Sequence, residues 1–244
     1  MKVTVVIPSR YGSTRFPGKP LVDIQGKPMV QHVYERASEA TFVDEVFVAT
    51  DDERIESAVK RFHGKVIMTQ SSHQSGTDRI AEVARNLTSD ILINVQGDEP
   101  FISPKLIDQV ASSLINDRQV KLSTAAIAFK KIEDFWSPNM VKVICDQERN
   151  AIYFSRTTLP FIDPKKVTLK DLERLGIRKH IGIYGYRREL LLQFSEWKPT
   201  PLEIEERLEQ LRVLEHGVKI RVVETQHETY AIDTPQDLDK LKLV

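Results

Sequence analysis

Short apolar runs rich in β-branched residues alternate with amphipathic stretches through the first part of the chain. The apolar runs predict strands at 3–7, 46–49, 66–68 and 91–95, and the amphipathic stretches predict helices at 29–40, 52–62 and 77–87. This alternation is typical of βαβ units, in which crossover helices join parallel strands. We therefore predict an α/β fold with a mainly parallel, Rossmann-like sheet and helices on both faces.

The second part of the chain has more extended runs and less helix, which predicts a smaller antiparallel extension of the sheet. The pattern predicts helices at 105–115, 201–217 and 235–243 and strands at 122–129, 141–145, 151–154, 181–186 and 219–224. Residues 163–179 are polar and weakly periodic and predict a mobile segment. The apolar stretch 190–197 could form an interface or core, and core is the prediction. Ser103 and Thr234, each followed by proline, are predicted helix N-caps. We predict one domain over 1–244, with a less regular lobe around 130–200.

Charge and composition narrow the class of protein. The 244 residues are 41% hydrophobic, as in an ordinary globular protein. The 35 basic and 35 acidic side chains balance, so the chain has no net positive charge that would attract nucleic acid or an anionic membrane. The single cysteine, Cys145, cannot form an internal disulfide, and the first residues enter a strand pattern rather than a signal peptide. We expect a cytoplasmic protein that has neither a nucleic acid nor a membrane as partner.

A basic, glycine-containing loop, residues 9–20, follows the first predicted strand. A loop at the carboxyl end of a parallel strand can surround a polyphosphate with backbone N–H groups, and Arg10 and Lys19 would add charge; a solvated basic turn is the alternative. It is not a Walker A loop, because five residues separate Gly12 from Gly18 and Pro20 stands where Ser or Thr would hold Mg²⁺. The chain also lacks the G-x-G-x-x-G pattern of dinucleotide-binding proteins.

Two aspartates are candidates for binding a metal ion. Asp98 follows the most apolar strand and Asp233 precedes a predicted helix, so both are expected near a sheet edge. One or two carboxylates together with substrate phosphates suffice for Mg²⁺. The alternatives are a turn carboxylate for Asp98 and a helix N-terminal charge for Asp233. The six histidines have no zinc-site spacing, and no G-x-S-x-G nucleophile motif is present.

Seven motifs, in order along nearly the whole chain, resemble the cytidylyltransferases that activate acidic eight- and nine-carbon sugars with CTP, and most closely the octulosonate branch. They lie at 7–20 (IPSRYGSTRFPGKP), 73–79 (HQSGTDR), 94–100 (NVQGDEP), 153–156 (YFSR), 180–187 (HIGIYGYR), 208–212 (LEQLR) and 232–235 (IDTP). The resemblance implies that the anomeric hydroxyl of 3-deoxy-manno-octulosonate attacks the α-phosphorus of CTP, so that pyrophosphate leaves. It also implies a Mg²⁺ cofactor, a homodimer that uses the antiparallel extension, and a role in lipopolysaccharide biosynthesis.

Residue roles follow from the same resemblance. The implied catalytic residues are Arg10, Lys19, Asp98 and Asp233, of which Asp98 and Asp233 bind the metal. The implied nucleotide-binding residues are Arg10, Arg15, Lys19, Ser75, Gly76, Arg79 and Asp98. The sugar site is expected to comprise Gln96, His180, Tyr184, Glu209 and Gln210, and Arg156 offers a cation for the sugar carboxylate.

Purely structural roles stay open for several of these residues. Ser75 or Thr77 is expected to cap a helix whether or not a ligand binds. His180 and Tyr184 share one face of a predicted strand and could belong to the core, while Glu209 and Gln210 could form an exposed helical pair.

One segment departs from the family pattern. After residues 155–156 the family tends to carry a proline, an aromatic residue and an Arg-Asp pair, whereas residues 162–166 here read IDPKK. Lys165 could reach the same phosphate or carboxylate as a point charge. An 8-amino octulosonate, a neuraminate or another sugar therefore stays an alternative substrate. A nucleotide-binding module without catalysis is the alternative of another class, which release of pyrophosphate would exclude.

Overall fold

One sheet of nine strands forms the centre of the part of the chain that this computed structural model describes, residues 1–12, 16–73, 75–163 and 167–241. The strands of this sheet are β1 (Val3–Pro8), β4 (Glu45–Thr50), β5 (Val66–Met68), β6 (Ile91–Asn94), β7 (Leu122–Ile127), β8 (Lys142–Cys145), β9 (Ala151–Ser155), β10 (Arg178–Arg187) and β11 (Ile220–Thr225). The main path of the sheet has the order β11-β7-β10-β6-β1-β4-β5, and β8 pairs with both β10 and β9. A separate antiparallel pair consists of β2 (Asp23–Ile24) and β3 (Lys27–Pro28).

Helices cover both faces of the sheet. They are α1 (Met29–Ser38), α2 (Glu53–Arg61), α3 (Gly76–Arg85), α4 (Pro104–Asn116), α5 (Ile132–Trp136), α6 (Leu169–Arg174), α7 (Arg188–Phe194), α8 (Pro201–Glu206), α9 (Gln210–Glu215) and α10 (Pro235–Leu241). A short 3₁₀ helix, Lys19–Leu21, follows the first loop. None of the helices in the described ranges is long and apolar enough to span a bilayer.

The first half of the sheet is parallel, as predicted. β1 lies between β4 and β6 and is parallel to both. Helices on both faces bury these strands, which explains their nearly continuous apolar runs. The core under α1, α2 and α4 contains Val33, Val59 and Val110, and the core under α3, α7 and α9 contains Ile80 and Phe194. The α/β fold class is therefore confirmed.

The antiparallel extension is also confirmed. β10 runs antiparallel to β6, β7 and β8, and β8 is antiparallel to β9. β10 is longer than the predicted strand 181–186, and its register with β7 shifts between Ile181 and Tyr184. The predicted core position of the stretch 190–197 is correct for α7, in which Leu190, Leu191 and Phe194 are buried. The division into one domain with a lobe at 130–200 stays a prediction.

The weak periodicity of the segment 163–179 did not reveal α6. This helix begins with a capping box in which Thr168 and Asp171 exchange side-chain-to-backbone hydrogen bonds. One prediction of secondary structure is wrong. The helix expected at 201–217 is two helices, because Arg207 adopts a left-handed conformation with φ 55° and ends α8. Ser103 occupies the predicted N-cap position of α4, but its side chain makes no capping hydrogen bond.

Candidate active site

The first loop and the loop after β6 meet at the carboxyl ends of adjacent parallel strands, as expected from the topology. Their approach is very close at Gly97, where a Cβ atom would lie 2.9 Å from the carbonyl oxygen of Pro8 and 3.0 Å from Oγ of Ser9. A larger residue at Gly97 would push the two loops apart. Glycine at this position therefore keeps Asp98 next to the residues that follow β1.

Lys19, Asp98 and Asp233 form an ion cluster beside this contact. The Nζ atom of Lys19 lies 2.7 Å from Oδ2 of Asp98 and 3.2 Å from Oδ1 of Asp233. The Lys19 side chain is only 14% exposed, so solvent screens these charges weakly. The backbone N–H of Ile232 donates to the carbonyl oxygen of Asp98 at 2.9 Å and holds the Asp233 segment in place. The structure thus brings together both predicted metal-binding residues and a predicted phosphate-binding residue.

A first cavity of about 370 Å³ opens beside the ion cluster. The predicted nucleotide-binding residues that line it are Arg10, Lys19, Ser75, Gly76, Arg79 and Asp98. Arg10 is exposed at its rim. Arg15 and Lys165, which the sequence also singled out, lie outside the described residues.

The start of α3 forms one wall of the first cavity. Ser75 is the N-cap, since its Oγ accepts a hydrogen bond from the backbone N–H of Asp78 at 3.1 Å. One turn later, Arg79 is buried and its guanidinium lies 3.1 Å from Oδ2 of Asp51. The capping role predicted for Ser75 is therefore correct, whereas the charge of Arg79 is balanced from behind the cavity by Asp51.

A second cavity of about 460 Å³ adjoins the first, and Gly76, Gln96 and Glu209 line both. All six predicted sugar-site residues line the second cavity: Gln96, Arg156, His180, Tyr184, Glu209 and Gln210. Two ligands that occupied the two cavities would therefore meet at a common boundary.

Glu209 lies at this boundary because the chain breaks between α8 and α9. Its Oε2 accepts a hydrogen bond of 2.7 Å from the hydroxyl of Thr77, and burial raises the pKa of Glu209 above its ordinary value. Gln210 is buried, and its Nε2 has no hydrogen-bond partner within the described ranges. The alternative of an exposed helical pair at these two positions is therefore wrong.

His180 and Tyr184 lie on the central part of β10, and the centroids of their rings are 5.5 Å apart. Nε2 of His180 lies 2.9 Å from Oγ1 of Thr124 on β7. Burial lowers the pKa of His180 to about 3 and raises that of Tyr184 well above its ordinary value, so both rings are uncharged at neutral pH.

Arg156 and Arg207 are the basic residues among the described lining of the second cavity. Arg156 is held by backbone carbonyl groups. Its Nε donates to the carbonyl oxygen of Glu206 at 2.9 Å, and its Nη1 donates to that of Pro138 at 3.2 Å. The Glu206 carboxylate instead accepts hydrogen bonds from the Ser155 hydroxyl and the backbone N–H of Arg156. Uncharged backbone carbonyl groups therefore hold the guanidinium of Arg156 in place.

Glu99, beside Asp98, is buried. Burial, and secondarily the charge of Asp98, raises the pKa of Glu99 to about 7, while a side-chain hydrogen bond with Thr229 opposes the shift. Glu99 thus connects the loop after β6 with the segment that carries Asp233.

Several residues that surround the predicted ones were missed by the sequence analysis. Thr77 and Thr124 hold Glu209 and His180 through their hydroxyl groups. Asn94 and Tyr186 line the second cavity, and His73 lines the first. His73, Asn94 and Tyr186 belong to motifs quoted above, which was the available signal, whereas Thr124 lies in an ordinary apolar strand that gives none.

Comparison with known proteins agrees with this geometry. Residues 4–220 match the family model described as Cytidylyltransferase. The 3-deoxy-manno-octulosonate cytidylyltransferase of Geobacter metallireducens is 54% identical over 245 residues, covering 99% of this chain and 96% of that protein. The protein of the same name from Geotalea daltonii is 56% identical over 99% of this chain and 97% of its own length.

Solved structures show the same relationship. A CMP:2-keto-3-deoxy-manno-octonic acid synthetase in complex with CTP superimposes with a TM-score of 0.92 at 43% identity, covering 100% of this chain and 98% of that one. A 4-diphosphocytidyl-2C-methyl-D-erythritol synthase from Anaerococcus prevotii shares the fold, with a TM-score of 0.63 at 15% identity over 99% of this chain and 95% of its own.

We predict that His180→Gln reduces the loss of stability in acid. His180 keeps a pKa of about 3 in the folded protein, whereas a histidine of the unfolded chain has a pKa of about 6.5. As the pH falls below about 6.5, the unfolded chain binds a proton that folded His180 does not, so the free energy of unfolding decreases. Between about pH 7 and about pH 5 this effect should remove about 2 kcal/mol from the wild type but not from the variant.

Urea denaturation across this pH range measures the difference. The matched control, His63→Gln in an exposed turn, should keep the wild-type pH dependence. Identical pH dependence in the wild type and His180→Gln would contradict the prediction.

Proposed function

The chain belongs to the cytidylyltransferase family, and from this premise we propose that it transfers CMP from CTP to 3-deoxy-manno-octulosonate and releases pyrophosphate. The observation that carries the proposal is the shared boundary of the two cavities, because a nucleotide in the first and a sugar in the second would meet there. Octulosonate activated in this way enters lipopolysaccharide biosynthesis. CTP is a cytoplasmic nucleotide, and we place the reaction in that compartment.

The first cavity supplies what a triphosphate requires. Arg10 and Lys19 are the cations of the basic loop on its wall, and they would neutralise the β- and γ-phosphates and then the departing pyrophosphate. Ser75 and Gly76 border the same cavity and are the proposed neighbours of the cytosine. Transfer of a nucleotidyl group needs alignment of the reactants and neutralisation of the phosphate charge rather than a covalent intermediate. Arg10 and Lys19 would neutralise the charge, and Ser75 and Gly76 would help to align the nucleotide.

The second cavity supplies uncharged hydrogen-bonding groups for a sugar. His180 and Tyr184 are neutral, and Gln96 and Gln210 add amide groups. Arg156 adds a cation on the same wall for the sugar carboxylate. The anomeric hydroxyl of the sugar would attack the α-phosphorus of CTP from this side, so that the bond to the pyrophosphate breaks.

Asp98 and Asp233 fit the binding of Mg²⁺ in this position. One ammonium group lies within ion-pair distance of both carboxylates, so their oxygens already converge on a single cation. Among the described residues, no three His, Cys, Asp or Glu side chains cluster into a complete metal site. Two carboxylates fit a Mg²⁺ ion that substrate phosphates and water also bind. The ion, when bound, would polarise the phosphoryl groups of the triphosphate and stabilise their negative charge.

We also propose that the protein is a homodimer. Several large apolar side chains between residues 136 and 204 are exposed, and exposed apolar surface is typical of an interaction site. They include Trp136, Ile152, Phe161, Leu202 and Ile204, of which Ile152 and Ile204 are 57% and 60% exposed. A groove of about 660 Å³ beside Trp136 and Tyr153 adds concave surface. A second copy of this chain would cover these side chains.

We predict that Lys19→Met and Asp98→Asn each lower kcat by about 10²–10³-fold, a loss of about 3–4 kcal/mol of transition-state stabilisation. Each variant also loses an ion pair, so turnover is compared at a temperature at which thermal unfolding shows both variants to be folded. Lys27→Met is the matched control, because Lys27 forms a surface ion pair of 2.7 Å with Glu35 and should keep its activity. Near-normal turnover of Lys19→Met or Asp98→Asn would contradict the assignment.

Release of pyrophosphate identifies the substrates directly. We expect the highest rate with CTP and 3-deoxy-manno-octulosonate in Mg²⁺. The rates with UTP, GTP or ATP, and with neuraminate as the sugar, should be much lower. The 8-amino octulosonate belongs in the same panel, since the altered segment after Pro160 could favour it. Binding of CTP without product from any of these sugars would show a nucleotide-binding module instead of an enzyme.

Light scattering after size exclusion tests the dimer. We expect the wild type to have twice the mass of one chain and Ile204→Glu to shift toward the monomer, because a charge would be buried in the contact. Met68→Glu, at an exposed position of the far edge strand β5, is the control and should stay dimeric. A monomeric wild type would contradict the homodimer, and a fully dimeric Ile204→Glu would contradict this surface.

A further inference from the structure

Thr124 holds the most irregular part of β10. Opposite this residue the register of β7 with β10 shifts, and the Thr124 hydroxyl lies 3.2 Å from the carbonyl oxygen of Ile181 and 2.7 Å from that of Ile183. The same oxygen lies 2.9 Å from Nε2 of His180. Thr124 is completely buried, so water does not compete for these contacts. One hydroxyl group therefore meets two carbonyl oxygens and one ring nitrogen.

The chemistry of these groups fixes the direction of each hydrogen bond. A hydroxyl has a single hydrogen to donate, and a carbonyl oxygen only accepts. If the hydroxyl donated to His180, its oxygen would face the carbonyl of Ile183 at 2.7 Å without an intervening hydrogen. When the hydroxyl donates to Ile183 instead, its oxygen accepts from Nε2–H of His180, and the acceptor pair left in contact is the longer one, with the carbonyl oxygen of Ile181 at 3.2 Å.

The other ring nitrogen is then an acceptor. Burial keeps His180 neutral, because it lowers the pKa to about 3, and a neutral ring carries only one N–H. With that proton on Nε2, Nδ1 has a free lone pair. Nδ1 has no hydrogen-bond partner in the part of the chain that the structure describes, although His180 lines the second cavity.

We propose that Thr124 is a positioning residue, whose hydroxyl holds His180 in the Nε2–H tautomer so that Nδ1 accepts a hydrogen bond from a hydroxyl group of the sugar. The sugar half of this proposal rests on the proposed function, whereas the tautomer is a property of the free protein. An acceptor at Nδ1 favours a hydroxyl over a carboxylate, which has no hydrogen to donate. Thr124 thus determines which chemical group of the acidic sugar faces His180, without itself lining the cavity.

The tautomer can be measured in the free protein, independently of activity. Long-range ¹H–¹⁵N correlation spectra of histidine-labelled protein distinguish Nε2–H from Nδ1–H, and comparison with His180→Gln assigns the signal. We expect the Nε2–H form at neutral pH in the wild type and in Thr124→Ser, which keeps the hydroxyl. In Thr124→Val we expect the signal to show Nδ1–H or exchange between the two forms. An Nδ1–H form in the wild type would overturn the proposal.

Kinetics test the consequence for the sugar. Because one hydrogen bond to the substrate is misaligned, Thr124→Val should raise the KM for octulosonate about tenfold, while the KM for CTP changes less than about twofold. Thr124→Ser should stay within about threefold of the wild type. An unchanged KM for octulosonate in Thr124→Val would overturn the role toward the sugar.

Ser123→Ala is the matched control. Ser123 is also buried on β7, but its hydroxyl receives a 2.6 Å hydrogen bond from Ser113 on α4, away from the cavity. We expect this variant to keep both the wild-type KM and the wild-type tautomer. A tenfold increase in KM for Ser123→Ala would show a general effect of β7 and overturn the specific role of Thr124. If no acidic sugar is a substrate, the proposed function fails, while the spectra of the free protein still decide whether Thr124 fixes the tautomer.

Discussion

The ion pairs of Lys19 with Asp98 and Asp233 are the contact on which the candidate site depends. Two carboxylates that converge in a weakly screened position repel each other, and a cation between them removes this repulsion. The three residues are separated by 79 and 214 positions in sequence, so only the folded chain brings them together. The same convergence makes the pair of carboxylates suitable for a divalent ion that arrives with a triphosphate.

The sheet topology explains why this convergence occurs. β1 and β6 are parallel neighbours, so the loops that follow them leave the sheet at the same edge. The absence of a side chain at Gly97 allows these loops to touch, and the hydrogen bond from Ile232 to Asp98 joins the third segment to them. These contacts involve the backbones of the three segments, so the charged side chains extend from fixed positions.

The sequence predicted most of this arrangement because its determinants are local. The strand before each loop, the glycine and basic residues of the first loop, and the order of the motifs can all be recognised in short stretches. The split between α8 and α9 could not be predicted, because the left-handed conformation of Arg207 goes with burial of Leu208 and Glu209 beside another part of the chain. The contacts of Thr77 with Glu209 and of Thr124 with His180 span 132 and 56 positions, and no local pattern records them.

Two irregular features of the fold lie at the second cavity, whereas the first cavity is built on regular parallel strands. A regular strand or helix directs its side chains with a fixed period, which does not bring polar groups from several elements to one small ligand. The register shift in β10 and the break before Glu209 change this period at two of the elements that line the second cavity. Recognition of a triphosphate needs cations and N–H groups at a strand end, which the regular topology provides. Recognition of a sugar needs hydroxyl, amide and imidazole groups that point in defined directions. The chain provides these groups where it departs from regular structure. Buried threonines there accept or donate the hydrogen bonds that orient the neighbouring side chains, and Thr124 also bonds a backbone carbonyl group at the register shift.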